Sequence, residues 1–219
     1  MERILVAGAT GLVGREVVEQ LLSSTSVRPV ALTRRSLGKP GLEEWLSQGD
    51  DLLQGLKDEP VDAVICCLGT TIKKAGTKDR FRYVDHDLVV GLARWAKRHS
   101  VVTLSIVSAI GADPASNIFY NKVKGEMERD VKALALPSLH IFHPSILTGP
   151  RQESRVGERL GIVIMNMVSP LLLGGLRRYR PMPHDLLASA LIQTARTPEN
   201  GTHVHAYDGI VALARKQLR

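Results

Sequence analysis

Tyr120 and Lys124 stand four residues apart in Phe119-Tyr-Asn-Lys-Val-Lys-Gly125, a spacing that places both side chains on one face of a helix. A phenol ionises near pH 10, so an isolated tyrosine is a poor base at neutral pH. A neighbouring ammonium favours the phenolate, and Lys124 is expected to lower the Tyr120 pKa. The tyrosine can then exchange a proton with a substrate oxygen while hydride passes between carbon and a nicotinamide. Ser108 follows the apolar run Val101–Val107 and is expected to hydrogen-bond the same oxygen. The Lys124 ammonium is also placed to hold the nicotinamide ribose. Ser108, Tyr120 and Lys124 are therefore the candidate catalytic residues. A bare Tyr-x-x-x-Lys also arises as a surface pair on a solvated helix, so its force depends on the rest of the chain.

The rest of the chain supplies a place for a dinucleotide. Residues 4–14 read Ile-Leu-Val-Ala-Gly-Ala-Thr-Gly-Leu-Val-Gly, an apolar strand running into a turn with glycines at 8, 11 and 14. The first glycine lets the chain turn sharply as it leaves the sheet. The second lets a pyrophosphate approach the backbone, and the third lets the next helix pack closely on the strand. That helix, expected over 12–22, points its free N–H groups and the positive end of its dipole at the anion. Gly8, Thr10, Gly11, Leu12, Val13 and Gly14 are the expected phosphate-binding stretch. About 20 residues later, where a carboxylate would mark NAD, the chain has Thr33-Arg34-Arg35. An arginine fork binds a 2′-phosphate that a carboxylate would repel, so the expected cofactor is NADP, held in part by Arg34 and Arg35. Leu68 and Gly69, at the end of Cys66-Cys-Leu-Gly69, are expected to line the path from adenosine to ribose.

These residues require elements that bring them together. Apolar strands are expected at 3–7, 27–33, 61–68, 101–107 and 139–142, with helices at 12–22, 79–98 and 117–133 between them. The segment 42–54 reads as a short strand or a helix. Past Pro144 the pattern gives an irregular stretch, an apolar helix around 160–176, a helix near 184–196, and a short strand (202–207) followed by a helix. Continuous Val/Ile/Leu strands alternating with helices indicate an α/β fold with a doubly wound, mostly parallel sheet covered on both faces. In such sheets ligands sit beyond the carboxyl ends of the strands.

Composition excludes several classes. With 44% apolar and 23% charged residues over 219 positions, the chain suits one soluble domain. The run 160–176 is interrupted by Asn166, Pro170 and Gly174 and falls short of the roughly 20 apolar residues of a membrane span; a buried helix, pocket wall or subunit contact is expected, the last permitting a homodimer. A net charge of +7 raises nucleic acid as a partner. The basic residues are dispersed and aromatics are only 4%, so nucleic-acid binding is not expected. Adjacent cysteines at 66 and 67 within an apolar strand fit buried thiols, and with the absence of a signal-peptide pattern they point to a cytoplasmic setting. His203 and His205 fall on one face of a strand, which is a poor case for a metal; ordinary surface residues are expected.

The motifs GATGLVG, CCLGTTIKKAG, Ser108 with Gly-Ala-Asp, Tyr120-Asn-Lys-Val-Lys-Gly-Glu126 and HPSILTGPRQESRVGE resemble the short-chain dehydrogenase/reductase superfamily. More narrowly they resemble the atypical branch that includes the Tat-interacting, tumour-suppressor oxidoreductase homologues and bacterial relatives. The resemblance spans about residues 3–196, and the stretch 151–158 is specific to that branch. It implies a single NAD(P)-binding Rossmann domain over 1–219, with 144–185 as a small C-terminal substrate and lid region. It implies a Ser108–Tyr120–Lys124 site in which Tyr120 and Lys124 also touch NADP, and a Pro144-Ser-Ile146-Leu147 loop over the nicotinamide. The Gly-x-x-Gly-x-x-Gly spacing matches extended and atypical members, and Cys-Leu-Gly replaces the asparagine motif common at the fourth strand. Arg151–Arg155 are expected either to bind a ligand or partner or to tie the loop to the sheet by salt bridges.

The function expected is an NADP-dependent oxidoreductase acting on a small carbonyl or alcohol, with an unidentified small molecule as substrate. The alternative is a non-catalytic NADP(H)-binding sensor or interaction protein. A nucleotide-sugar epimerase would use the same residues, but the short C-terminal region leaves little to enclose such a substrate.

Overall fold

Ile4, Leu5, Val6 and Ala7 are all inaccessible to solvent, so β1 (Glu2–Ala7) has no wet face and must be covered on both sides. The structure, a computed structural model, describes residues 1–150 and 174–217. In it β1 lies in the interior of a seven-stranded parallel sheet, beside the central strand β4 (Ala63–Cys66), with β2 (Val27–Thr33), β3 (Glu43–Leu46), β5 (Thr103–Val107), β6 (Ser138–Phe142) and β9 (Gly201–His205). The spatial order is β3-β2-β1-β4-β5-β6-β9. The alternation of side chains along each strand divides the core. Leu5, Val64, Cys66, Leu104 and Ile106 meet α4 (Leu88–Arg98) and α5 (Phe119–Lys132) on one face. Ile4, Val6, Ile65 and Phe142 meet α1 (Leu12–Leu22), α6 (His184–Arg196) and α7 (Tyr207–Gln217) on the other. Each fully buried aliphatic side chain stabilises this sandwich by about 1.5–3 kcal/mol. The expected doubly wound α/β fold is thus the observed one.

The segment 42–54 forms the short edge strand β3 and a 3₁₀ turn at Leu52–Gly55. Burial decides this: Trp45 is fully enclosed, its ring edge-on to Trp95 at 5.8 Å between centroids. The helix expected over 79–98 is not uniform. It is preceded by α2 (Ile72–Ala75), and it begins as α3 (Lys78–Arg82), widens into a π turn at Tyr83–Asp87, and continues as α4. Asp85 and His86 inside that turn are both buried. Wide turns of this kind are often found where a helix must present a functional side chain.

Beyond β6 the chain forms β7 (Leu147–Thr148), which pairs in parallel with β8 (Met182–Pro183) as a separate two-stranded sheet. The expected lid over 144–185 is therefore anchored at both ends by this pair. Residues 151–173, which hold the 151–158 stretch and most of the apolar run, lie outside the described residues.

His203 and His205 are not ordinary surface residues, contrary to expectation. β9 pairs with β6 in register His140↔His203 and Phe142↔His205. The His140 ring stacks on both, at 5.0 and 5.2 Å, and its Nδ1 lies 2.9 Å from His205 Nε2. Among the described residues no cluster suited to a metal ion is present. Burial, reinforced by the charges of His205 and His203, lowers the His140 pKa from 6.5 to about 4. A histidine whose folded pKa lies below its unfolded value takes up a proton more readily when unfolded. Its neutral form therefore supports the fold fully above pH 6.5, and that support is lost as pH falls towards 4. Unfolding free energies measured by urea titration should fall by about 3 kcal/mol between pH 7 and pH 4 through this residue alone. His140→Phe should flatten that part of the profile.

Candidate functional site

The site begins where β1 ends. Gly8 adopts φ +86, and a Cβ there would stand 2.6 Å from the carbonyl carbon and oxygen of Cys67, so the conformation and the space both demand glycine. The Cys67 N–H donates to Ala7 O at 2.8 Å, locking the end of β4 beside the end of β1. Here the chain leaves β1 on one side towards β2, while β4 lies on the other, and a crevice opens at this switch point. A Cβ at Gly14 would come within 2.2 Å of Gly8 O, which shows how tightly α1 is drawn against the turn. Gly11, the residue preceding α1, provides no side-chain cap, and the first helical turn has no acidic residue. The first N–H groups of an 11-residue helix thus face the crevice, as a phosphate requires.

A cleft of about 330 Å³ occupies this position. Gly8, Thr10, Gly11, Arg34, Leu68 and Gly69 line it as expected. Arg35 is not among its lining residues. Leu12 and Val13, at the start of α1, are not among its lining residues either, and the Val13 side chain is buried in the core. Among the lining residues that were not anticipated, three are charged: Lys74, Arg80 and Asp50. Lys74 sits in α2 and Arg80 in α3, with its guanidinium 4.9 Å over the Tyr83 ring. The cleft therefore carries three cations against one carboxylate. Lys74 lies in the CCLGTTIKKAG stretch but was given no role there, Arg80 falls in no motif, and the folding of 72–82 across the cleft brings both to Arg34. Another cleft, of about 350 Å³, is lined by Leu53, Lys57, Trp95 and His99. It holds none of the candidate residues and lies by the last turn of α4, away from the glycine turn.

Tyr120 and Lys124 do not line the cleft at the glycine turn; they stand on α5, four residues apart as the spacing predicted, with Lys124 adjoining the cleft through Gly69. Lys124 is 3% exposed and its Nζ lies 2.8 Å from Asp85 Oδ1, itself 1% exposed. Asp85 Oδ2 accepts the Thr70 N–H at 2.8 Å, so one carboxylate joins the lysine to the loop after β4. Gly69 rides directly above the pair, its Cβ position 3.4 Å from Asp85 Oδ1 and 3.7 Å from Lys124 Nζ. Burial alone would lower the Lys124 pKa, but Asp85 and Tyr120 outweigh it and hold the ammonium above its ordinary range. The half-buried Tyr120 ring packs against Phe81 at 5.6 Å. Its pKa does not fall as expected. Burial pushes it up, Lys124 pulls it down, Asp85 pushes it up again, and the net direction is upward. The expectation took the lysine's charge into account but not the burial of the phenol, which is the largest cause, nor the Asp85 carboxylate beside the lysine. Asp85 was missed because nothing in its spacing marks it; the π turn alone directs it inward.

Ser108 is placed differently from the expectation. Its buried hydroxyl donates to Glu128 Oε1 at 2.5 Å, and the same oxygen lies 2.7 Å from His143 Nε2. Lys132 Nζ reaches the other oxygen of Glu128 at 3.3 Å. Burial would raise the Glu128 pKa, yet hydrogen bonds from His143 and Ser108, together with the charges of His143 and Lys132, hold it below the usual carboxylate range. Pro144 is buried, with its carbonyl accepting the Ile110 N–H at 3.2 Å, while Ile146 is exposed and its carbonyl accepts from Met182. With Leu147 in β7, the 144–147 loop is thus tied to the strand ends on one side and to β8 on the other. Burial drives the Cys66 thiol up to about 11 and Cys67 well above its ordinary value, which removes both as nucleophiles at neutral pH.

Residues 8–160 match a family described as NAD(P)H-binding. Among curated proteins the chain is 36% identical over 156 residues to Protein FMP52, mitochondrial, of Eremothecium gossypii, covering 70% of each chain. It is 34% identical over 164 residues to Protein HTATIP2 of Rattus norvegicus, covering 72% of this chain and 67% of that one. Among solved structures, MoeE5 in complex with UDP-glucose and NAD superposes with a TM-score of 0.68 at 16% identity, over 98% of this chain and 81% of that one. The human epimerase family protein SDR39U1 with NADPH gives 0.62 at 17%, over 93% and 74%. These structures share the fold. The expected cytoplasmic setting is overturned by the FMP52 proteins, which are named as mitochondrial. Free buried cysteines and a glycine-broken first strand do not distinguish one reducing compartment from another.

A carboxylate with a depressed folded pKa stabilises above its unfolded value, and that contribution is lost as pH falls through the folded one. Glu128→Gln should cost about 1–3 kcal/mol at neutral pH, since Ser108, His143 and Lys132 lose their shared anion. Denaturant unfolding at pH 7 and below pH 4 should show a shallower acid loss in the variant than in the parent protein.

Proposed function

The chain belongs to the NAD(P)H-binding family of atypical short-chain dehydrogenase/reductases, and on that premise we propose that it is an NADP(H)-dependent oxidoreductase acting on a small carbonyl or alcohol. The observation that carries this reading is the juxtaposition of a basic cleft at the glycine turn with Lys124, which lies under the Gly69 wall of that cleft and one helical turn from Tyr120. The pyrophosphate fits the bare N-terminus of α1, where no side chain competes for the N–H groups. Arg34, Lys74 and Arg80 favour the extra phosphate of NADP over the bare ribose hydroxyl of NAD. Proteins of this fold are described both with NAD and with NADPH, so it is the local charge, not the fold, that supports the choice. Bound NADPH supplies hydride to a carbonyl carbon. Tyr120 carries the phenolic proton that the carbonyl oxygen would receive, and Lys124 lies beneath Gly69, where a nicotinamide ribose would pass. The likeness to nucleotide-sugar enzymes is one of fold alone.

A second reading, an NADP(H)-binding sensor without turnover, draws on one observation. The Ser108 hydroxyl gives its proton to Glu128 and so does not offer it to a substrate oxygen.

Thermal-shift and fluorescence titrations should show tighter binding of NADPH than of NADH. Arg34→Ala or Arg80→Ala should weaken NADPH by about tenfold or more, the worth of a charge-assisted hydrogen bond, and leave NADH nearly unchanged. Across a panel of small aldehydes and ketones, NADPH oxidation should appear with at least one substrate, and Tyr120→Phe should slow it about 100- to 10,000-fold. Tight NADPH binding without turnover on any member would support the sensor reading instead.

A further inference from the structure

The π turn at Tyr83–Asp87 interrupts an otherwise regular helix and places a buried carboxylate beside the proton-transfer pair. We propose that Asp85 sets the protonation state of Tyr120: by pairing with Lys124 it helps keep the tyrosine a phenol, ready to donate a proton to a carbonyl oxygen. This rests on the reading of the crevice as an NADPH hydride site.

The geometry limits the alternatives. The charged groups acting on Tyr120 are Lys124, one turn along α5, and Asp85, from the π turn. The neighbouring ions Arg82 and Glu126 are paired with each other at 2.5 Å. The Cys66 thiol beneath the pair stays neutral. Lys124 is held at 2.8 Å by Asp85, and that carboxylate is itself fixed by the Thr70 N–H, so the ammonium cannot swing to favour a phenolate without leaving a buried charge unpaired. Burial is the first cause that holds the Tyr120 pKa up, and Asp85 acts in the same sense against Lys124. In the step assigned, the carbonyl carbon gains hydride from the reduced nicotinamide, and the C=O π electrons take the Tyr120 proton. An alcohol and oxidised cofactor result, and the phenolate regains its proton from water.

The test reads Tyr120 directly. Tyrosinate ultraviolet absorbance is followed against pH in the whole protein, with the Tyr120→Phe spectrum subtracted to remove Tyr83, Tyr179 and Tyr207. In the parent protein Tyr120 should stay protonated to pH 10 or beyond; ionisation below about pH 8 would overturn the proposal. Asp85→Asn should lower the midpoint by at least about one pH unit, because Lys124 then acts unopposed, and an unchanged or higher midpoint would count against it. Should that variant fail to fold, Asp85→Asn with Lys124→Gln carries no buried charge. It should titrate within about half a unit of the parent if the two charges cancel; a rise of a unit or more would show that Lys124 dominates and sink the idea. NADPH affinity measured in parallel separates the two claims. Loss of binding with the expected titration would strike the cofactor reading and leave the role of Asp85 on Tyr120 intact.

Discussion

The ends of β1 and β4 approach so closely that a single methyl group would drive them apart. A Cβ at Gly8 would overlap the Cys67 carbonyl, and one at Gly14 would overlap Gly8 O. That close approach makes the crevice: it seats α1 with its N–H groups open to the switch point and sets Leu68 and Gly69 along one wall. It also brings the loop after β4 down onto Asp85 and Lys124. Gly8, Gly11, Leu68 and Gly69 take their positions from this contact, and the cations of 72–82 follow the loop after β4 across the cleft.

Two buried carboxylates then divide the chemistry. Asp85 binds Lys124 and the Thr70 N–H, and its charge acts on Tyr120 against that of the lysine. Glu128 binds Ser108, His143 and Lys132 and ties the end of β5 to the end of β6. Both carboxylates are largely desolvated, so each is tolerated only because its partners satisfy its oxygens. The charges that surround the candidate site are thus also charges the fold cannot lose cheaply. Ser108, which by its place at a strand end belongs with Tyr120, is instead bound into the second of these groups.

Much of this was legible in the sequence. The strands at 27–33 and 139–142 and the helices at 12–22 and 184–196 follow from apolar runs and their periods, because a side chain buried on both faces of a sheet must be apolar. The glycine turn was legible because each glycine answers a steric demand. Arg34 was legible from its place at the end of β2. Lys74, Arg80 and Asp85 were not, since their roles come from a backbone path that brings distant segments together and no local pattern records it. The histidines of β9 were misread for the same reason: their partner, His140, lies on another strand.

The sequence by itself determined the layers, the phosphate turn and the spacing that puts Tyr120 and Lys124 on one helix face, because these depend on residues near one another in the chain and on the fixed periods of helix and strand. Only the tertiary structure decided which charges face those residues. A buried ion pair acts over a few ångströms of low-dielectric space, and the residues that share such a space, Asp85 with Lys124 and Glu128 with Ser108 and His143, are set by packing and not by spacing.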